Sequence, residues 1–236
     1  MGMSWLDRLI QGQLSKQQLV DADDALPGRD TEVPVAAEHL LLRHPMRGSV
    51  GTDDSTGIGA FPDGLNAVVL AGGCFWGVEE IYWQIPGVYT TAVGYAGGYT
   101  ANPSYEEVCT ARTGHTESVL VVFDPTVIDL EAVLAVFWET HDPTQEMRQG
   151  NDVGTQYRSA VYTLSEADAV LARRSAEKFG TVLAEAGRGP VATEIAPLTQ
   201  AGDGHFYYAE DYHQQYLAKN PNGYRCHAAT GLKYPA

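Results

Sequence analysis

One cysteine of this 236-residue chain lies where a thiol could react. Cys74 occurs in the stretch GGCFWGVEE, and the apolar residues Val78, Ile81 and Tyr82 predict a helix that starts beside it. The first turn of a helix has unpaired N–H groups and the positive end of the helix dipole, and both stabilise an anion. We therefore expect a thiolate, the reactive form of cysteine, to be favoured at this position.

The neighbours of Cys74 help to separate a reactive thiol from an inert core thiol, which is the common role of a free cysteine. Gly72 and Gly73 leave room for another molecule to approach the backbone. Phe75 and Trp76 are adjacent, so they cannot both face the core from one helix. We expect at least one of these two rings to line a pocket beside the sulfur.

A carboxylate that could act with this thiol ends the segment GYAGGYTANPSYEEVCTARTGHTE, which is too rich in glycine to predict regular structure. Glu117 precedes the apolar run from Val119 to Phe123, so partial desolvation would raise its pKa and make it a general acid near neutral pH. An exposed carboxylate at a strand start is the alternative. Tyr95 and Tyr105 carry no signal of their own.

A second polar loop, HDPTQEMRQGNDVGTQYRSAVY, leads into a predicted strand. Asp152 and Tyr157 of this loop could reach the mouth of the same pocket. His141 and Asp142 are interpreted as residues at a helix end, because polar and charged residues are common there.

The two other cysteines differ in context. Cys109 has no basic or helical neighbours and is interpreted as structural. Cys226 follows the last predicted element and lies in a glycine-containing tail. A resolving thiol needs such a position to reach a reactive partner. The alternative is a C-terminal cysteine without a function. Three scattered cysteines without a CxxC pair predict neither a disulfide framework nor a structural zinc site.

The elements that would position these groups follow a simple order. Strands are predicted over 65–71, 88–95, 117–123 and 157–164. Helices are predicted after Cys74, over 129–141 with Asp129 as N-cap, and from Ser165 to about Ala186 with Asp168 in capping-box position. The order β-α-β-β-α-β predicts an α+β, ferredoxin-like split βαβ fold, a two-layer sandwich with its helices on one face. A strand near 191–197 and a short helix around 206–217 would follow.

Composition predicts the domain plan and excludes some partners. Residues 1–64 are predicted to be an extension that wraps a core formed by residues 65–218, and residues 219–236 are predicted to be a coil-rich tail. The extension contains one amphipathic segment, at Trp5, Leu6, Leu9 and Ile10. A net charge of −15 opposes nucleic acid and anionic membranes. No apolar run is long enough to span a bilayer and the N-terminus lacks a secretory apolar core, so we expect a soluble, cytoplasmic protein.

Five stretches together resemble the peptide methionine sulfoxide reductase A family. They are GGCFWGVEE, GYAGGYTANPSYEEV, TGHTESV, FWETHDPTQEMRQGNDVGTQYRSAVY and FYYAEDYHQQYLAKNPNGY. The likeness runs from about Ala67 to Tyr224, and DALPGRDTEVPVA resembles the extension of longer members. The resemblance implies a ferredoxin-like core, which agrees with the order of the predicted elements.

The resemblance also implies a reaction, the reduction of methionine-S-sulfoxide, free or in proteins. Cys74 would attack the sulfoxide sulfur as a thiolate and become a sulfenic acid while Glu117 protonates the oxygen. Tyr105 and Tyr157 would be supporting hydrogen-bond donors. The remaining implied site residues are Phe75 and Trp76, which would hold the substrate methyl group, Gly73, which would also bind the substrate, and Asp152, which would orient the polar loop.

The resemblance further implies a single Cys74–Cys226 disulfide that thioredoxin or a similar dithiol reduces. Many members place the tail cysteine directly after the Gly-Tyr pair and a second cysteine later. Here Arg225 intervenes and no cysteine follows, so a two-step disulfide relay is excluded. No metal or organic cofactor is implied, and we expect a monomer.

Two other functions stay open from the residues. One is a different thiol enzyme, either a peroxide reductase or a cysteine hydrolase that pairs Cys74 with His115, His141 or His213. The other is a module without catalytic activity that binds methionine-rich peptides through the aromatic pocket.

Overall fold

The structure is a computed structural model that describes residues 16–49, 54–226 and 228–235. The predicted amphipathic segment at residues 5–10 lies outside this range. In the described part the chain has a mixed α+β fold built on a six-stranded sheet. None of its helices there is both long and apolar enough to cross a membrane.

The strands and helices of the described residues have the following bounds. The strands are β1 (Asn66–Gly72), β2 (Val88–Ala96), β3 (Thr116–Phe123), β4 (Arg148–Gln149), β5 (Asp152–Val153), β6 (Ser159–Thr163), β7 (Glu194–Pro197) and β8 (Phe206–Tyr208). The α-helices are α1 (Phe75–Tyr82), α2 (Tyr105–Val108), α3 (Leu130–Thr140), α4 (Glu166–Glu185) and α5 (Tyr216–Lys219).

The main sheet has the order β7-β6-β1-β3-β2-β8, and β4 and β5 form a separate hairpin. Neighbouring strands of the main sheet are antiparallel, except that β6 and β7 are parallel. Strands β1 and β3 lie in the middle and are buried on both faces, which is why their sequences are continuous apolar runs rather than alternating ones. The four strands predicted first are all confirmed.

The two faces of the sheet are covered by different parts of the chain. On one face, Leu70 and Val121 share a core with Phe137 of α3 and Phe179 of α4. The core on the other face combines sheet residues with side chains from the segment before β1 and from residues 198–208, and includes Ile58, Val69, Leu120, Leu198 and Phe206. The helices therefore cover one face, and the segment before β1 helps to cover the other.

The helix starts follow the predicted caps. The Asp129 carboxylate accepts a hydrogen bond from the Ala132 N–H at 2.8 Å, and α3 begins at the next residue. The Ser165 hydroxyl accepts from the Asp168 N–H at 3.1 Å, and α4 begins directly after it. Both predictions are confirmed, because these side chains satisfy N–H groups that the helix itself leaves unpaired.

Two predictions of local structure are wrong. The segment 206–217 was expected to be helical, but Phe206–Tyr208 is a strand, since Phe206 and Tyr208 pack on one side of the sheet and Tyr207 on the other. The glycine-rich segment was expected to lack regular structure, but it contains α2. Ser104 and Glu107 form a capping box there that satisfies the first turn.

A buried carboxylate ties α1 to the rest of the fold. Glu79 accepts hydrogen bonds from the Thr91 hydroxyl (3.1 Å) and from the backbone N–H and side-chain amide of Gln215 (both 2.8 Å). Burial raises the pKa of Glu79 to about 7, although these three donors favour the charged form. Helix α1 is thus fixed to β2 on one side and to the segment before α5 on the other.

Replacing Glu79 should therefore destabilise the fold. We expect Glu79→Ala to lower the free energy of unfolding by about 3 kcal/mol, because it leaves two buried donors of Gln215 without an acceptor. Chemical denaturation would measure the change. Glu177→Ala, at an exposed position of α4, is the matched control and should change it by less than about 0.5 kcal/mol. Equal effects of the two variants would contradict a structural role of the Glu79 network.

Candidate active site

The thiol of Cys74 lies at the N-terminal end of α1. Cys74 is the N-cap residue and is 7% exposed. The backbone N–H groups of Trp76 and Gly77, at the start of α1, favour the charged form of its sulfur. Gly73 before it has φ of 95°, and a Cβ there would lie 2.7 Å from the Cβ of Gln149. Only glycine lets the β4–β5 hairpin pack this closely beside the thiol.

The protonation state of Cys74 differs from the expectation. Burial raises its pKa above the usual range, and the negative charge of Glu117 raises it further, while the two backbone N–H groups lower it. The helix end acts in the predicted direction, but desolvation outweighs it. The prediction that a thiolate is favoured in the resting site is therefore wrong, because the sequence does not show how deeply the sulfur is buried.

Glu117 is buried at the same helix end. It is the second residue of β3, is 2% exposed, and its Oε2 accepts a hydrogen bond from the Phe75 N–H at 3.0 Å. Strand β3 pairs with β1 in a register that brings Glu117 opposite the end of β1, from which the chain turns into α1. Burial raises the pKa of Glu117 to about 8, so it is mostly a neutral carboxylic acid at pH 7. The expected desolvation is confirmed, and the exposed alternative is excluded.

Two phenols complete the polar side of the site. Tyr105 begins α2, and Tyr157 ends a short 3-10 turn at Thr155–Tyr157. Burial raises the pKa of both tyrosines, and the charge of the nearby Glu117 raises them further, so both hydroxyls stay protonated and can donate. The structure thus brings together four residues singled out in the sequence, Cys74, Glu117, Tyr105 and Tyr157.

Cys109 has a different environment from the one predicted. It is the C-cap residue of α2 and is hydrogen-bonded to the Tyr105 side chain, so the expectation of no helical context is wrong. Burial raises the pKa of its thiol, and the charge of Glu117 adds to the effect. It contacts the site through Tyr105.

The adjacent aromatic residues have different surroundings. Phe75 is buried, with its ring 5.9 Å from that of Tyr95. Trp76 is partly exposed, stacks on Tyr216 at 3.9 Å, and donates its indole N–H to His213 Nδ1 at 3.1 Å. Trp76 is the ring that solvent reaches, but it also packs against the edge of the core that contains Phe75, so the inference that only one ring contacts the core holds for full burial alone.

The three candidate histidines are poorly suited to act as bases for Cys74. Both ring nitrogens of His115 and of His141 are hydrogen-bonded to other groups, and Nδ1 of His213 accepts from Trp76. Burial lowers the pKa of each to about 4. His141 is the C-cap of α3, as its interpretation as a helix-end residue predicts. This arrangement disfavours a cysteine–histidine hydrolase.

The tail brings its thiol to the same hairpin. The Cys226 thiol donates to the Gln149 carbonyl at 3.4 Å and is also hydrogen-bonded to Asp152, which accepts from the Tyr224 hydroxyl at 3.1 Å. Burial raises the pKa of Cys226 to about 11, and the charge of Asp152 adds to this. Gln149 also packs against Gly73, the residue before Cys74, so one hairpin residue contacts both the tail thiol and the chain beside Cys74. All three cysteines are free.

Acidic and sulfur groups of the described residues form no set of three or more that could hold a metal ion. A family model described as peptide methionine sulfoxide reductase matches residues 66–235. The chain belongs to the peptide methionine sulfoxide reductase family. The resemblance drawn from the sequence motifs is thereby confirmed, and the chain is an oxidoreductase.

Individual members of the family are similar over most of their length. Peptide methionine sulfoxide reductase MsrA 1 of Caulobacter vibrioides is 53% identical over 218 residues, which are 92% of this chain and 93% of that protein. The MsrA of Brucella melitensis is 52% identical over 220 residues, with coverage of 93% and 94%. The match therefore includes most of the segment before β1.

Two solved structures of the family share the fold. Methionine sulfoxide reductase A of Corynebacterium diphtheriae has a TM-score of 0.80 and 43% identity, and the match covers 93% of this chain and all of that one. Mxr1 of Saccharomyces cerevisiae in its reduced form has a TM-score of 0.65 and 36% identity, with coverage of 72% and 93%.

Several residues around the site were not identified in these roles from the sequence. Gln149 and Tyr216 contact site residues across long sequence separations, and no local pattern marks them, whereas His213 was considered only as a base for Cys74. Tyr224 belongs to the Gly-Tyr pair of the tail, and this family motif is the sequence signal that could have identified Tyr224.

The link between Cys74 and Glu117 can be tested by thiol alkylation in a variant whose other two cysteines are replaced by serine. At about pH 9, where Glu117 is ionised, we expect Glu117→Gln to speed iodoacetamide alkylation of Cys74 several-fold, because it removes a charge that opposes the thiolate. At about pH 6.5 the difference should be small, since Glu117 is protonated there. Glu106→Gln, on the exposed face of α2, is the control. An unchanged rate at the higher pH would contradict the coupling.

Proposed function

We propose that this chain reduces methionine-S-sulfoxide, free and in proteins, to methionine, and so repairs proteins after oxidative damage. The observation that carries the proposal is the pair of buried groups at the start of α1, the Cys74 thiol and the Glu117 carboxylic acid. One is a nucleophile and the other an acid near neutral pH, as transfer of oxygen from a sulfoxide requires. The relatives' names support the same substrate.

In the proposed first step the Cys74 sulfur attacks the sulfoxide sulfur while Glu117 gives its proton to the sulfoxide oxygen. The hydroxyls of Tyr105 and Tyr157 donate hydrogen bonds to that oxygen as its charge develops. The new sulfur–sulfur bond and the substrate S–O bond then break as the hydroxyl passes to the Cys74 sulfur, so Cys74 ends as a sulfenic acid and methionine leaves. The sulfur of Cys74 is oxidised by two electrons, the substrate sulfur is reduced by two, and the thiol proton returns to the site in place of the one that Glu117 gave.

Substrate binding is assigned to the apolar side of the same site. Phe75 and Trp76 contact the methyl group of the substrate, and Gly73, which lets the β4–β5 hairpin pack beside the thiol, contributes to the same end of the site. Asp152 orients the hairpin and the tail through its hydrogen bonds with Tyr224 and Cys226.

In the second step Cys226 condenses with the Cys74 sulfenic acid to give a single disulfide. Thioredoxin or a similar dithiol then reduces this disulfide. These steps need neither a metal nor an organic cofactor.

We further propose that the protein is a cytoplasmic monomer, and that its net charge of −15 disfavours nucleic acid and membrane partners.

The same proposal extends to the fold class and the domain plan. The strand order β6-β1-β3-β2 supports a ferredoxin-like core with its helices on one face. We assign residues 1–64 to an extension that wraps this core, 65–218 to the catalytic domain, and 219–236 to the tail that carries the resolving cysteine.

A stereo-resolved assay with thioredoxin as reductant tests the reaction. We expect turnover of methionine-S-sulfoxide and none of the R epimer. Cys74→Ser should abolish turnover, whereas a non-catalytic peptide-binding module would keep its activity. Cys109→Ser is the matched control and should keep most of the activity. Equal rates on both epimers would overturn the assignment.

The role of Glu117 predicts a pH dependence. Because the acid must be protonated and burial raises its pKa to about 8, kcat/KM should fall about tenfold per pH unit above that value. Glu117→Gln should lower the rate by about two to three orders of magnitude and remove this alkaline limb. Glu106→Gln should keep both the rate and the limb. A limb that persists in Glu117→Gln would assign the titration to another group.

A further inference from the structure

Arg225, the residue that separates the Gly-Tyr pair from Cys226, joins the tail to α1. Its Nε and Nη2 donate to the two carboxylate oxygens of Glu80, both at 2.6 Å. The third nitrogen, Nη1, donates to the Pro221 carbonyl at 2.9 Å, within the tail itself. The guanidinium therefore connects the turn that begins the tail to the exposed side of α1. Two parallel bonds to one carboxylate also fix its orientation.

This contact lies close to the two thiols. Glu80 is six residues after Cys74 on the helix, so the two are about 9 Å apart along its axis. The tail then runs towards the start of α1, because a Cβ at Gly77 would lie 3.9 Å from the Cys226 carbonyl oxygen. The Cys226 thiol lies against Gln149 beyond that point. Arg225 thus holds the residue next to the resolving thiol on the helix that Cys74 caps.

Regular backbone structure does not hold this part of the tail in place. Residues 220–226 and 228–235 contain no strand or helix that would hold them in place. Farther along, Lys233 forms an ion pair with Glu139 of α3 at 2.7 Å. Without the Arg225 contact, this segment would be held by the Tyr224–Asp152 hydrogen bond and, at its far end, by Lys233, so it would sample more positions and the effective concentration of its thiol at Cys74 would fall.

We infer that Arg225 is a positioning residue for disulfide formation, and that its paired bonds to Glu80 hold Cys226 ready to meet the Cys74 sulfenic acid. The inference rests on the proposed function. In this step Cys226 loses its proton and its sulfur bonds to Cys74 Sγ, while the S–O bond of the sulfenic acid breaks. The hydroxide leaves as water with that proton, so Cys226 is oxidised, Cys74 is reduced to the disulfide level, and no outside reductant takes part.

The Arg225–Glu80 ion pair can form and break reversibly. Its side chains are 29% and 23% exposed, so salt weakens it without unfolding the core. Once the disulfide has formed, the covalent bond holds the tail and the ion pair is no longer needed. We therefore expect the ion pair to affect only the rate of disulfide formation.

Single-turnover experiments without thioredoxin separate the two steps. Methionine release reports the reduction, and loss of dimedone-reactive sulfenic acid reports disulfide formation. We expect Arg225→Gln and Glu80→Gln each to slow disulfide formation about three- to tenfold, with the rate and amount of methionine release unchanged. The double variant should be no slower than either single one, and the charge swap Glu80→Arg with Arg225→Glu should restore part of the rate.

The controls distinguish this effect from general loosening of the tail. Lys233→Gln removes an ion pair of the same tail whose lysine is 83% exposed, and it should leave both steps unchanged. Added salt should slow disulfide formation in the wild type but not in Arg225→Gln. Disulfide formation at the wild-type rate in both single variants would overturn the inference, as would an equal loss of methionine release. Failure of the wild type to form methionine would instead overturn the proposed function.

Discussion

The hydrogen bond from the Phe75 N–H to the Glu117 carboxylate is the interaction on which the site depends. A helix start leaves its first N–H groups without partners inside the helix, and here the Phe75 N–H binds the Glu117 oxygen while those of Trp76 and Gly77 favour the charged form of Cys74. The same contact joins α1 to β3, so Cys74 and Glu117 are held by the two central strands of the sheet through one helix end. Any shift of α1 would separate them. The buried Glu79 network resists such a shift about one turn farther along the helix.

Burial also decides the charge of the resting site. It raises the pKa of Cys74 and of Glu117, and each negative charge would further oppose the other. The site therefore holds two protons at neutral pH and accepts one negative charge more readily than two. In the proposed reaction a sulfoxide oxygen resolves this conflict, since it takes the proton of Glu117 while the thiol proton replaces it. The helix end lowers the barrier to a transient thiolate without making it the resting form.

Much of the fold was predictable because its signals are local. Asp129 and Ser165 cap the helices that follow them, and the apolar run after Glu117 indicated that this carboxylate would be desolvated. The Ser104–Glu107 capping box was an equally local signal for α2, but the glycine content of the surrounding segment argued against a helix. The pKa of Cys74 was not predictable, because its burial depends on how strands and helices distant in sequence pack around the thiol.

The segment before β1 reaches the same site indirectly. Leu40 donates its backbone N–H to the Gln215 side chain at 3.3 Å, and the Gln215 amide contacts the sulfur of Met46 at 3.3 Å. Gln215 has a positive φ of 47°, a backbone conformation that residues other than glycine rarely adopt, so surrounding contacts must hold Gln215 in it. It also donates to Glu79, and the next residue, Tyr216, stacks on the indole beside the thiol. The segment before β1 thus supports, through Gln215, both the helix that carries the nucleophile and the aromatic wall of the site.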